Sequence, residues 1–160
     1  MKKPNKLNIG DKVAIVSLSS GIIGEEDTQL QVELGVRRLT YMGITPVFMP
    51  NSRKGLAYIK DNPKARASDL KDAFKDPEIK AIICAIGGDD TYKTIPYLMD
   101  DPEFKDLVNK NPKIFIGSSQ LSNELPVTIA GDSINISFDS DAEEVIDVAS
   151  FDNLKLGVKK

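Results

Sequence analysis

The sequence predicts an α/β fold in which helices flank a parallel sheet in three layers, followed by a short antiparallel β tail. Three observations point there. β-branched apolar runs alternate with stretches whose apolar residues recur at three-and-four spacing. Clusters of Gly, Ser and Asp follow the runs at Ser19-Ser20-Gly21, Gly87-Gly88-Asp89-Asp90 and Gly117-Ser118-Ser119. After Pro126 the texture changes to short runs separated by Gly131-Asp132-Ser133 and Asp139-Ser140-Asp141, which is the pattern of antiparallel strands joined by tight turns. A repeated β-loop-α order is satisfied by parallel strands with crossover helices on both faces. The expected organisation is an α/β unit over residues 1–125 and a β-rich tail over 126–160 packing on the same domain.

Lys12 to Leu18 is the first strand, a short β-branched run that leads into a loop. A helix follows, with Val32, Gly35, Val36, Leu39 and Met42 on one stripe, Glu25, Glu26 and Asp27 near its start, and Gly43 at its end. Thr45 to Met49 reads as a second strand with its proline near the first position. Asn51 to Pro63 shows no clear period and reads as a long loop with room for a helical turn. A short helix opening at Ala67 or Ser68 runs through Leu70, Ala73 and Phe74 and stops at Asp76-Pro77. Ile79 to Ile86 is the most apolar run and the expected central strand, buried on both faces. A helix over Thr91 to Met99 and another around Glu103 to Val108 precede the strand Lys113 to Ile116. In the tail, Val127 to Ile129, Ile134 to Phe138 and Val145 to Val148 are the strand candidates.

Composition narrows the function classes. The 160 residues carry a formal net charge of -3, with the charges mixed along the chain. Nucleic acid is not an expected partner, because phosphate binding needs a concentrated basic surface. No apolar segment follows the basic start, which reads against a signal peptide, and no run has the length to span a bilayer; a cytoplasmic protein without a membrane partner is the expectation. The lone Cys84 sits inside an apolar run, so it forms no internal disulfide, suits a reducing compartment and reads as a small buried hydrophobe. There is no histidine. That removes the commonest general base near neutral pH and the commonest zinc ligand. No cofactor and no metal is expected, a carboxylate-held magnesium being the one metal site left open.

In parallel sheets ligands bind at the carboxyl ends of the strands, so the loops Ser17 to Gly21, Gly87 to Thr91 and Gly117 to Asn123 should meet. Adjacent glycines at Gly87 and Gly88 let the backbone bring its N–H groups close to an anion, with the dipole of the next helix adding to the attraction. The same residues also suit a plain tight turn with Asp89 or Asp90 capping the helix. Gly117-Ser118-Ser119-Gln120 places a serine just past a buried strand, the layout of a nucleophile elbow but without its second glycine; a turn serine fits the pattern too.

Taken together, Ala65-Arg66-Ala67-Ser68-Asp69-Leu70, Ala73 to Ile83, Gly87 to Lys93 and Pro96-Tyr97-Leu98 resemble the LD-carboxypeptidase family of serine peptidases, in particular its microcin C immunity branch. Leu7 to Val16 is similar to that family's start, and Asn111 to Gly117 to the approach to its nucleophile. The resemblance runs from about Lys6 to Ser119, over the stretch whose β-loop-α order predicts a flavodoxin-like three-layer fold. The resemblance implies peptide or peptidyl-nucleotide ligands and a Ser-Glu-His triad that cleaves amide bonds in murein tetrapeptides or peptidyl-nucleotide antibiotics. It maps the nucleophile onto Ser119, and the oxyanion-binding N–H groups onto Gly88 or Asp89 and Gln120. Ser118 and Gln120 depart from the family's tyrosine and aspartate.

The expectation is a truncated peptidase domain, inactive by itself because nothing in the sequence supplies the triad histidine. Lysines can replace such a base, which makes Lys93 and Lys113 the residues to place; both read as surface charges. The competing expectation is a phosphate- or nucleotide-binding domain using Gly87-Gly88-Asp89-Asp90 with magnesium. The surface that a missing second domain would cover implies either strands of Val127 to Val148 pairing along it, or a homodimer.

Overall fold

The computed structural model describes residues 3–117, together with the backbone of 127–130 and 133–136. Four strands, β1 (Lys12–Val16), β2 (Thr45–Phe48), β3 (Ile79–Cys84) and β4 (Ile114–Ile116), form one sheet in the order β2-β1-β3-β4. Every pairing in it is parallel. The most apolar run, β3, lies between β1 and β4, and proline-bearing β2 takes an edge, where a missing N–H costs no ladder bond.

Five α-helices connect the strands: α1 (Gln29–Tyr41), α2 (Leu56–Asp61), α3 (Pro63–Lys75), α4 (Ile95–Met99) and α5 (Pro102–Lys110). The main core lies between one face of the sheet and α3 to α5. Ala14 and Val16 of β1, Ile82 and Cys84 of β3 and Phe115 of β4 meet Leu70, Ala73, Phe74, Leu98 and Phe104 there. Phe74 and Phe104 stack edge to face with centroids 5.8 Å apart. Burying side chains of this size contributes about 1.5–3 kcal/mol each. On the opposite face Leu7, Val13, Ile44, Ala81 and Ile114 pack with the partly buried Leu39 and Met42 of the α1 region.

Three expectations about elements change. Helix α3 begins at Pro63, not near Ser68, because proline fits the first helical turn, where its missing N–H is not needed. The segment read as a long loop holds α2. Thr91 to Met99 is not one helix but a 3₁₀ turn over Thr91–Thr94 followed by the five-residue α4. The α1 stripe is present, yet no α1 residue is fully buried. Val32, Gly35, Val36 and Leu39 instead line an apolar cleft of about 410 Å³ with Ile15 and Ile83 of the sheet.

In the tail, β5 (Val127–Ala130) and β6 (Ser133–Ile136) pair antiparallel as a separate two-stranded sheet, Ala130 opposite Ser133. The third tail strand expected over Val145 to Val148 lies outside the described residues. No helix among the described residues is long and apolar enough to cross a membrane.

Candidate functional site

The parallel sheet brings the loops after β1 and β3 to one edge, and the two are bonded to each other. The Asp90 N–H donates to Ser19 Oγ at 2.9 Å. Arg66, on α3, donates from Nη1 to the Leu18 carbonyl at 2.7 Å and to the Asp90 carbonyl at 3.2 Å. Behind them the loop after β2 joins in, because buried Ser17 donates from Oγ to the Ser52 carbonyl at 2.7 Å. Asp69 accepts from the Asn51 N–H at 3.0 Å and from its side-chain amide at 2.7 Å. Burial pushes the Asp69 carboxyl above its usual range, while the Asn51 bonds hold it back.

Close approach constrains Gly88 and Gly21, as it does Gly24 against the backbone of Arg53 and Gly55. A Cβ on Gly88 would stand 2.5 Å from Ser19 Oγ, so only a bare backbone fits against that hydroxyl while it holds Asp90. A Cβ on Gly21 would meet the Gly55 carbonyl oxygen at 2.2 Å, where backbone faces backbone.

The resulting pocket is lined by Ser19, Ser20, Leu56, Ala57, Lys60, Gly88, Asp89 and Asp90. Two of the expected site residues, Gly88 and Asp89, therefore lie on it. The other two, Ser119 and Gln120, lie outside the described residues. Strand β4 pairs with β3 in parallel, Ile116 opposite Ile83, so Gly117 leaves the sheet at the same edge as the pocket.

The helix dipole expected behind the double glycine is missing as a source of attraction, since a 3₁₀ turn and a five-residue helix align too few peptide units. Asp90 occupies the cap position of that turn without a side-chain capping bond. Its carboxylate pairs with Lys93 Nζ at 3.0 Å instead. Both lysines weighed as bases are committed elsewhere. Lys93 faces Asp90, and Lys113 is buried rather than a surface charge, donating to the carbonyls of Ala73 and Asp76 at the end of α3. Burial lowers the Lys113 pKa to about 8, but it sits at the opposite edge of the sheet from the pocket. Buried Cys84 has its thiol pushed well up by desolvation, which makes it unreactive. No group of three or more metal-ligating side chains occurs among the described residues.

Sequence reasoning missed Leu56, Ala57 and Lys60, which belong to the segment read as structureless. Arg66 carried a signal only as one letter of a longer matching stretch. An arginine on the buried stripe of a helix whose neighbours Ala67, Leu70, Ala73 and Phe74 are core residues could have marked it.

Residues 13–130 match the family model described as the LD-carboxypeptidase N-terminal domain. The "Probable murein peptide carboxypeptidase" of Bacillus subtilis (strain 168) is 30% identical over 129 residues, which cover 75% of this chain and 34% of that protein. Among solved structures, an MccF-like protein from Streptococcus pneumoniae in complex with AMP is 49% identical, with a TM-score of 0.67 over 70% of this chain and 32% of that one. The microcin C7 self immunity protein MccF in complex with aspartyl sulfamoyl adenosine is 26% identical, with a TM-score of 0.64 over 78% of this chain and 35% of that one. The chain thus spans about a third of the length of the relatives it matches.

Proposed function

This chain belongs to the LD-carboxypeptidase N-terminal domain family, and from that premise we propose that it is the nucleophile-bearing part of a serine peptidase acting on peptidyl-nucleotide or murein-peptide amides. In this reading Ser119 attacks the amide carbonyl, and N–H groups of Gly88 or Asp89 and of Gln120 stabilise the oxyanion. The observation that carries it is the meeting of the β1 and β3 loops in one pocket, at the edge where β4 delivers the chain two residues before Ser119. Solved relatives crystallised with AMP and with aminoacyl sulfamoyl nucleosides support a nucleotide-bearing ligand.

The chain by itself does not turn over in this proposal. Its 160 residues hold no histidine, and Lys93 and Lys113 are engaged with Asp90 and with the end of α3. A serine hydroxyl with no group to take its proton is a weak nucleophile. The test combines two assays on the full chain. Calorimetric titration with AMP should give saturable binding. Incubation with a murein tetrapeptide and with a peptidyl-adenylate should give no release of amino acid. Release that disappears in the Ser119→Ala variant would refute the inactivity, and no AMP binding would remove the nucleotide part.

The other reading, a phosphate site with magnesium held by Asp89 and Asp90, has less support because the Asp90 carboxylate already neutralises Lys93. A cytoplasmic site of action, packing of residues 126–160 on residues 1–125 and homodimerisation belong to the same proposal; sedimentation of the full chain decides the last.

A further inference from the structure

Arg66 is fully buried, and its described hydrogen-bond partners are carbonyl oxygens, the Asp90 carboxylate acting on it through charge alone. Nη1 donates to Leu18 and Asp90, with a longer 3.5 Å approach to Ser19. Nε, Nη2 and the neighbouring Thr91 hydroxyl are buried without a protein partner among the described residues. A methionine or leucine would fill this space without the cost of burying a charge. What a hydrocarbon lacks is a donor able to reach two loops at once.

The bonds around residue 90 show what that donor does. The Asp90 carbonyl accepts from Arg66, its N–H donates to Ser19, and its carboxylate pairs with Lys93. Arg66 also holds Leu18, one residue before Ser19. The two loops are therefore joined twice, once directly through Ser19 and once through the guanidinium. Residue 90 has its N–H, carbonyl and side chain all fixed. Gly88 and Asp89 lie immediately before it on the pocket wall, so the aim of their N–H groups is set from Asp90.

We propose that Arg66 is a positioning residue: its buried guanidinium clamps the loop after β3 onto the loop after β1 and so fixes the backbone of Gly88 and Asp89 in the pocket. This rests on the pocket being the ligand site, but the clamp is tested separately from it. The full chain, Arg66→Lys and Arg66→Met are compared by amide hydrogen exchange and by titration with AMP. In Arg66→Met the Asp90 amide should exchange at least about tenfold faster than the change in global stability accounts for, while the Ile82 and Val16 amides follow global stability. Arg66→Lys, which keeps one cationic donor, should be intermediate, and AMP affinity should fall in the same order. Parallel changes at Asp90, Ile82 and Val16 in both variants, or no change at Asp90, would overturn the clamp, leaving Arg66 a packing residue. Should Arg66→Met not fold, Arg66→Lys carries the same comparison. If the wild-type chain binds no AMP, the nucleotide reading fails while the exchange data still decide the clamp.

Discussion

Lys113 and Cys84 give the fold two opposed pH responses of calculable size. Burial lowers Lys113 from the ordinary lysine value of 10.5 to about 8. Between those values the unfolded chain holds a proton that the folded chain has released, so stability rises with pH through that window. The full gap corresponds to about 3 kcal/mol, of which about 2 kcal/mol develops between about pH 7 and pH 9.5. Cys84 acts the other way. Its buried thiol is held protonated, whereas an unfolded thiol ionises around its ordinary value of 9.0, which removes about 1 kcal/mol by about pH 9.5. Lys12, raised by Glu78, titrates above this range. The wild-type chain should therefore gain about 1 kcal/mol across the interval, Cys84→Ala about 2, and Lys113→Met should lose about 1. Urea unfolding followed by far-ultraviolet circular dichroism at four pH values measures each slope, whatever pH-independent cost a substitution carries. A Lys113→Met slope equal to wild type would show that the ammonium is not desolvated by its place against Ala73 and Asp76.

Other perturbations test the loops. Gly21→Ala puts a Cβ at 2.2 Å from the Gly55 oxygen; with backbone on both sides the loops must separate, and urea unfolding should show a loss of about 2–4 kcal/mol. Gly88→Ala pushes Ser19 Oγ away from the Asp90 N–H; one lost hydrogen bond predicts a stability loss of about 1 kcal/mol in urea unfolding, with AMP binding weakened in calorimetry. Asp101 caps α5 by accepting from the Glu103 N–H at 2.9 Å and pairs with Lys71, which holds its carboxyl below the usual range. Asp101→Ala should therefore lower the urea midpoint at neutral pH, and the deficit should shrink as acid protonates the wild-type carboxyl.

The sheet was legible because each strand is a short run carrying β-branched residues and the punctuation after most of them is strong. Parallel pairing followed from the helical stretches between runs, and the central place of β3 from its freedom from charge over Ala81 to Ile86. Less legible was the stretch from Asn51 to Pro63. Its helix α2 is six residues long with Ile59 as its one fully buried residue, so the periodicity that marks a longer amphipathic helix has no room to appear. The break between Thr91–Thr94 and α4 was hidden for a similar reason, since a 3₁₀ turn and an α turn use the same residue types over four positions. At the site, the double glycine announced the pocket wall but not its partner. The fit of Gly88 against Ser19 joins residues 69 positions apart, and Arg66 reaches the Leu18 carbonyl across 48. Contacts of that kind depend on chain crossings that local sequence does not display. Lys113 was misread because a lysine beside a proline looks solvated until the end of α3 is placed over it.

Because every strand of the main sheet points the same way, the molecule has distinct front and rear ends. The rear holds Leu7 packed with Ala81 and Ile114 near the beginnings of β3 and β4, the Gly10 N–H bonded to the Gly43 carbonyl, and the Lys12–Glu78 pair. Leu7 and Gly10 fix the early chain at that end, opposite the pocket edge. A tether grafted beside Gly10 should thus leave Gly88 and Asp89 facing away from a sensor chip.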